Sequence, residues 1–140
     1  MAEHTSSYRI LFRDIDSMGV LYYARYLALF EMGRVEWMRD EGVRYRDLED
    51  CEGVILPVTS ASCEYHASLR YDDIAKVRTR MTKMSGARVC WAFQIENGET
   101  GELCATGKVD LGCIHRETHR PTRIPSKLFA LAGKASLFQE

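Results

Sequence analysis

The chain has 140 residues, 46% of them hydrophobic and 28% charged, which fits one globular domain with a real core and excludes a disordered chain. Nineteen Lys and Arg against twenty Asp and Glu leave a formal charge of -1, so no global positive field draws the protein to nucleic acid or to an anionic membrane. Five scattered cysteines without a C-x-x-C pair exclude a disulfide framework and read as reduced thiols packed like small hydrophobes.

The start, MAEHTSSYRI, lacks the charged beginning and apolar run of a signal peptide, and no later segment approaches ~18 consecutive apolar residues. The expectation is a cytoplasmic protein with no membrane insertion. Tyr8 to Arg13 is rich in strand-forming residues and predicts a first strand running into the turn-prone Asp14-Ile15-Asp16-Ser17-Met18-Gly19. From Leu21 to Arg39 the chain is long, free of proline and apolar over most of its circumference, with Arg25, Ala28, Glu31 or Met32, and Glu36 marking a narrow polar stripe. That pattern predicts a helix buried on several sides. Gly33 inside it costs ~1 kcal/mol relative to alanine and predicts close approach of another backbone.

After Gly42 a polar stretch, VRYRDLEDCEG, is expected to lead only into sheet. Ile55 to His66, Ile74 to Met84, Ala87 to Glu96 and Leu103 to His115 each alternate in part, with Val77, Thr79, Met81 and Lys83 on one face of the second run. Ser85-Gly86 and the Asn97 to Gly101 segment read as hairpins, so the four runs are predicted to form an antiparallel meander. The tail from Pro125 predicts a short terminal helix with Ser126 near its start. The fold class is therefore α+β, one domain over residues 1–140, with a sheet wrapping a single helix.

Metal and nucleotide signals are weak. His115 and His119 have an H-x-x-x-H spacing, but no second ligand pair stands nearby and Pro121 follows, so no metal site is predicted. Phosphate-binding glycine motifs and the nucleophile elbow G-x-S-x-G are absent.

The informative stretch is Phe12 to Arg34, FRDIDSMGVLYYARYLALFEMGR. Two carboxylates, Asp14 and Asp16, precede a glycine turn and the start of an apolar helix, whose first turn offers free N–H groups and a partial positive charge. Acyl transfer needs both parts, a base or nucleophile and a donor for the developing oxyanion. On these residues alone, a plain helix cap is the commoner role for such an Asp.

The same stretch resembles the signature D-x-D-x-x-G-[IV]-[VL]-x-[YH]-x-x-Y-[LVH]-x-x-[FY]-[ED]-x-x-R of hotdog-fold thioesterases, in particular the 4-hydroxybenzoyl-CoA thioesterase and YbgC-like acyl-CoA thioesterase branches. The matching residues are Asp14, Asp16, Gly19, Val20, Tyr23, Tyr26, Glu31 and Arg34, with a weaker likeness through Glu64-Tyr65 and Tyr71-Asp72-Asp73. The resemblance implies a hotdog fold and hydrolysis of an acyl-CoA thioester to free acid and coenzyme A, without metal or other cofactor. It places Asp16 on the catalytic carboxylate, as general base or nucleophile, and the Tyr23 backbone N–H, at the helix start, on the group that polarises the carbonyl. Asp14, Gly19, Glu31 and Arg34 are supporting residues in that scheme. Tyr23 stands where some YbgC-like members carry histidine, which makes the 4-hydroxybenzoyl-CoA arrangement the nearer analogue.

Glu31 and Arg34, three apart, either pair on the helix surface or hold its active-site end in place. Tyr22 and Tyr26 are candidates to shape the acyl pocket, and Arg88, ahead of Arg116, Arg120, Arg123 and Lys127, to meet coenzyme A phosphates. His66, His115 and His119 have no catalytic context in the sequence. An open sheet edge and the resemblance both imply a homodimer, or a homotetramer built as a dimer of dimers. The alternatives are a thioesterase for chains held on acyl carrier protein and a non-catalytic acyl-CoA binding or interaction module.

Overall fold

The first strand sits earlier than its residues predict. In the computed structural model, which describes residues 3–134, β1 spans His4–Arg9, and the expected continuation to Arg13 curls into a 3-10 turn at Phe12–Asp14. The Asp14 carboxylate accepts the Leu11 N–H at 2.8 Å, closing a turn over three residues that an extended strand cannot close.

The central helix, α1, spans Arg25–Asp40, four residues later than predicted. Leu21 donates its N–H to the Leu69 carbonyl at 2.7 Å and Tyr22 to the Asp14 carbonyl at 2.9 Å, so these two amides are committed outside any helix. Burial of α1 is also one-sided rather than all-round. Tyr26, Leu29, Phe30, Gly33 and Trp37 are buried, whereas Arg25, Leu27, Ala28 and Glu31 are exposed, which is one stripe at helical spacing facing one sheet.

The polar stretch after Gly42 does not lead straight to sheet. It forms a short helix, α2, at Tyr45–Asp50, anchored by buried Leu48. The four predicted runs then appear as six strands, because the first splits into β2 (Val54–Ile55) and β3 (Val58–Tyr65) and the last into β6 (Leu103–Gly112) and β7 (Ile114–His115), with β4 (Ile74–Ser85) and β5 (Arg88–Asn97) between them and α3 (Ser126–Lys134) after. The predicted tail beyond Lys134 lies outside the described residues. A separate ribbon pairs β2 with β7.

The five long strands are all antiparallel neighbours, but they are not a meander of the last four. Their order is β1-β4-β5-β6-β3. β1 takes the place beside β4, and β3 pairs with β6 at the far edge. Residues 66–73 are too long for a hairpin and instead cross the sheet past the N-terminal end of α1, with Leu69 fully buried. One sheet curved around one helix is the hotdog architecture that the resemblance implies. A bulge between Met81 and Lys83 shifts the β4 alternation, so Met84 takes the inner position that Lys83 was expected to hold, while Lys83 faces solvent.

Aromatic rings fasten the helix to the sheet. Phe30 stacks on Phe93 with centroids 4.6 Å apart, and Trp37 meets Trp91 edge-on at 5.8 Å. Each such ring contributes ~1.5–3 kcal/mol through burial. At Gly33 the helix lies close against β4. A Cβ there would run into the Thr79 hydroxyl and stand 3.0 Å from Val77 Cγ1, so the close neighbours are side chains of β4 and not the backbone that the sequence predicts. Gly33→Ala therefore sets a helix-propensity gain of up to ~1 kcal/mol against overpacking of ~1–3 kcal/mol. The expected net result in urea denaturation is a loss of about 1–2 kcal/mol.

Candidate active site

The two carboxylates of the D-x-D pair have opposite environments. Asp14 is 2% exposed, and its Oδ2 accepts the Tyr8 hydroxyl at 2.7 Å and the Leu11 N–H at 2.8 Å. Its Oδ1 faces Arg25 Nε at 3.6 Å and Arg13 Nε at 3.9 Å. Its backbone carbonyl holds the Tyr22 N–H. With its oxygens engaged on every side, Asp14 ties β1, the 3-10 turn and the approach to α1 together. Burial and the Asp14 carboxylate push the Tyr8 hydroxyl's pKa up.

Asp16 is half-buried and faces the other way. Residues Ile15 to Leu21 form a tight hairpin. The Asp16 N–H donates to the Val20 carbonyl and its own carbonyl accepts the Gly19 N–H, both at 2.9 Å, and Gly19 has φ +79, a conformation open to glycine at no steric cost. The Asp16 Oδ1 accepts the Met18 N–H at 2.8 Å, which fixes the rotamer. Among the described residues no donor is bonded to Oδ2.

A cavity of about 310 Å³ opens beside Asp16, walled by this residue with Tyr23, Tyr26, Tyr65, His66 and Ser68. Three elements build it: the Asp16 hairpin, the start of α1, and the end of β3 with its crossing segment. Tyr26 and Tyr65 meet edge-on at 4.9 Å. Burial is the largest cause that pushes each of their hydroxyls up to about 12, so both stay protonated at neutral pH.

Tyr23 lies in the turn before α1 rather than in the helix itself. Its carbonyl accepts the Tyr65 hydroxyl at 3.0 Å and the Tyr26 N–H at 3.4 Å. Among the described residues the N–H groups of Tyr23 and Ala24 have no acceptor, and Ala24, the residue capping α1, supplies no side-chain bond. Asp16, with one free carboxylate oxygen, and Tyr23, with a free amide, thus border one small, partly apolar cavity. That set is chemically able to activate water and polarise a carbonyl.

The other sequence candidates fall elsewhere. Tyr22 is exposed, with its ring 4.8 Å from that of Tyr23, and is not in the cavity wall. Glu31 is exposed and Arg34 half-buried, farther along α1. Burial pulls the Arg34 pKa down and the Glu31 charge opposes this, but no ion pair within 4.0 Å forms between them among the described residues. Arg88 stands across from Gly112 and bonds Asp110 at 3.4 Å. It is seven residues along β5 from Ile95, whose row runs through Ala105 to Tyr65, a distance of about 23 Å. Arg116 is held by the Glu49 carbonyl at 2.9 Å and Arg123 lies over the Phe129 ring. No group of three or more metal-binding side chains occurs among the described residues.

Tyr65, His66 and Ser68 are cavity residues that the sequence reading did not assign. Their place depends on where β3 ends and on which way the crossing segment turns, and no local motif carries that information.

The thioesterase-like superfamily model matches residues 10–131. A putative esterase of Synechocystis is 38% identical over 99 residues, 71% of this chain and 59% of that one, so the match spans less than two thirds of that relative. Acyl-CoA thioester hydrolase YbgC of Escherichia coli is 30% identical over 122 residues, covering 87% of this chain and 90% of the relative. The crystal structure of a DHNA-CoA thioesterase from Staphylococcus aureus superposes with a TM-score of 0.86 at 32% identity, covering 97% of this chain and 89% of that one.

Two outcomes are expected from this geometry. Asp14→Ala leaves the Tyr8 hydroxyl, the Leu11 N–H and Arg25 without their acceptor, and urea denaturation should register a loss of about 2–4 kcal/mol. The second concerns alkaline pH. Tyr26 and Tyr65 ionise near 12 when folded and near 10.0 when unfolded, so their contribution to stability is complete below pH 10 and is lost as pH rises towards 12. Ultraviolet titration of the native protein should find tyrosines that ionise only after the others, and stability measured in parallel should fall across the same interval.

Proposed function

The chain belongs to the thioesterase-like superfamily and is a thioester hydrolase, and we propose that it hydrolyses acyl-CoA with Asp16 as general base and the Tyr23 backbone N–H as carbonyl donor. The observation carrying this reading is that Asp16, whose Oδ2 has no bonded donor, and Tyr23, whose N–H has no acceptor among the described residues, wall one cavity. Asp16 takes a proton from water, and the water oxygen bonds to the thioester carbon. The carbonyl electron pair moves onto oxygen beside the Tyr23 N–H. When it returns, the C–S bond breaks and coenzyme A leaves as thiolate. Acyl-CoA as substrate is supported by the Escherichia coli relative, an acyl-CoA thioester hydrolase.

The acyl group is compact in this reading. A cavity of about 310 Å³ is at the small end of small-molecule sites, and the Tyr26 and Tyr65 rings give it flat apolar walls. The assembly is a homodimer. β3 is an edge strand with nearly every side chain exposed, including Val58 at 54%, and an open, partly apolar edge of this kind is completed most simply by a second copy of itself.

The test is loss of thioester absorbance with short-chain, benzoyl-type and long-chain coenzyme A esters, which avoids interference from the five protein thiols. Asp16→Asn should lower kcat by about 10²–10⁴-fold with the fold intact by circular dichroism. Compact esters should give higher kcat/KM than long-chain ones. An Asp16→Asn enzyme as fast as wild type would overturn the assignment, and light scattering at the mass of one chain would overturn the dimer.

A further inference from the structure

We propose that Tyr65 is a positioning residue of the hydrolytic site, its hydroxyl clamping the turn that presents the Tyr23 amide to the thioester carbonyl. The inference rests on the general-base and amide assignment above. An amide stabilises a developing oxyanion only if it is already aimed when charge appears. Ordinarily a helix start is fixed by a capping side chain, and α1 has none.

The surrounding bonds replace that cap. On the N-terminal side, Leu21 is held by Leu69 and Tyr22 by Asp14, at 2.7 and 2.9 Å. On the C-terminal side, the Tyr23 carbonyl is held within the chain by a long 3.4 Å bond from the Tyr26 N–H. The bond from Tyr65 is shorter, 3.0 Å, and comes from a different element 42 residues away in sequence. It is therefore the contact that ties this turn to the sheet. The Tyr65 ring is itself braced edge-on against buried Tyr26 at 4.9 Å. Its hydroxyl does not ionise until about 12, so it is a donor throughout the range in which the enzyme would be assayed.

Tyr65→Phe removes the hydroxyl and keeps the ring. Its kcat should fall about tenfold, the effect of losing one hydrogen bond's worth of alignment, with KM and melting temperature close to wild type. Hydrogen exchange at the Arg25 and Tyr26 amides, which are bonded to the Tyr22 and Tyr23 carbonyls of this turn, should quicken, with that of the later turns of α1 unaltered. Tyr71→Phe, on an exposed ring outside the cavity, serves as control and should turn over as wild type. Full kcat in Tyr65→Phe alongside an inactive Asp16→Asn would overturn this inference alone. So would a loss of kcat with no change in Arg25 or Tyr26 exchange, or one matched by an equal loss of folded protein. Full activity in Asp16→Asn would remove both the parent reading and this one.

Discussion

A carboxylate buried to 2% exposure is stable only if donors reach it from several directions, because an unpaired buried charge costs several kcal/mol. Asp14 meets that demand by drawing Tyr8 from β1, the Leu11 amide from the 3-10 turn and Arg25 from the first turn of α1 around one group. The strand, the turn and the helix cannot shift independently while those contacts hold. The hairpin carrying Asp16 begins at the next residue, and the Asp14 carbonyl fixes Tyr22 just ahead of the Tyr23 amide. The geometry of the cavity thus depends on a charge that is not in it.

The D-x-D pair divides two roles between identical side chains. Asp14 lines a different cavity, of about 260 Å³, with Arg13, Arg25 and Leu29, and its oxygens are spent on structure. Asp16, two residues later and half-exposed, is oriented by the Met18 amide and keeps one oxygen open. Their separation by one residue, across the end of a 3-10 turn, sends the two side chains to different sides of the chain. Environment, not residue type, separates the anchor from the candidate base.

A single chain also leaves surfaces unfinished. α1 buries one stripe against the sheet while Leu27, Tyr22 and Tyr23 stand 43% or more exposed, and β3 offers an unpaired edge. The cavity lies between these two features, walled by Tyr23 on one side and Tyr65 on the other. A second copy meeting the β3 edge would therefore approach the mouth of the site.

Much was legible in the sequence because it depends on near neighbours. The period of the apolar residues marked α1 and the long strands, Gly33 marked a close helix–sheet contact, and the run from Asp14 to Arg34 carried the family likeness. Local pattern also misled where a nonlocal bond prevailed. The Leu69 and Asp14 carbonyls take the amides of Leu21 and Tyr22 and delay the helix to Arg25, and the β4 bulge exchanges Lys83 for Met84. Strand order, the crossing of residues 66–73, and hence the arrival of Tyr65, His66 and Ser68 beside Asp16, were decided only in the tertiary structure. Periodicity specifies which face of a strand is buried, but not which strand lies beside it, and a cavity walled by residues some 50 positions apart exists only once that pairing has been made.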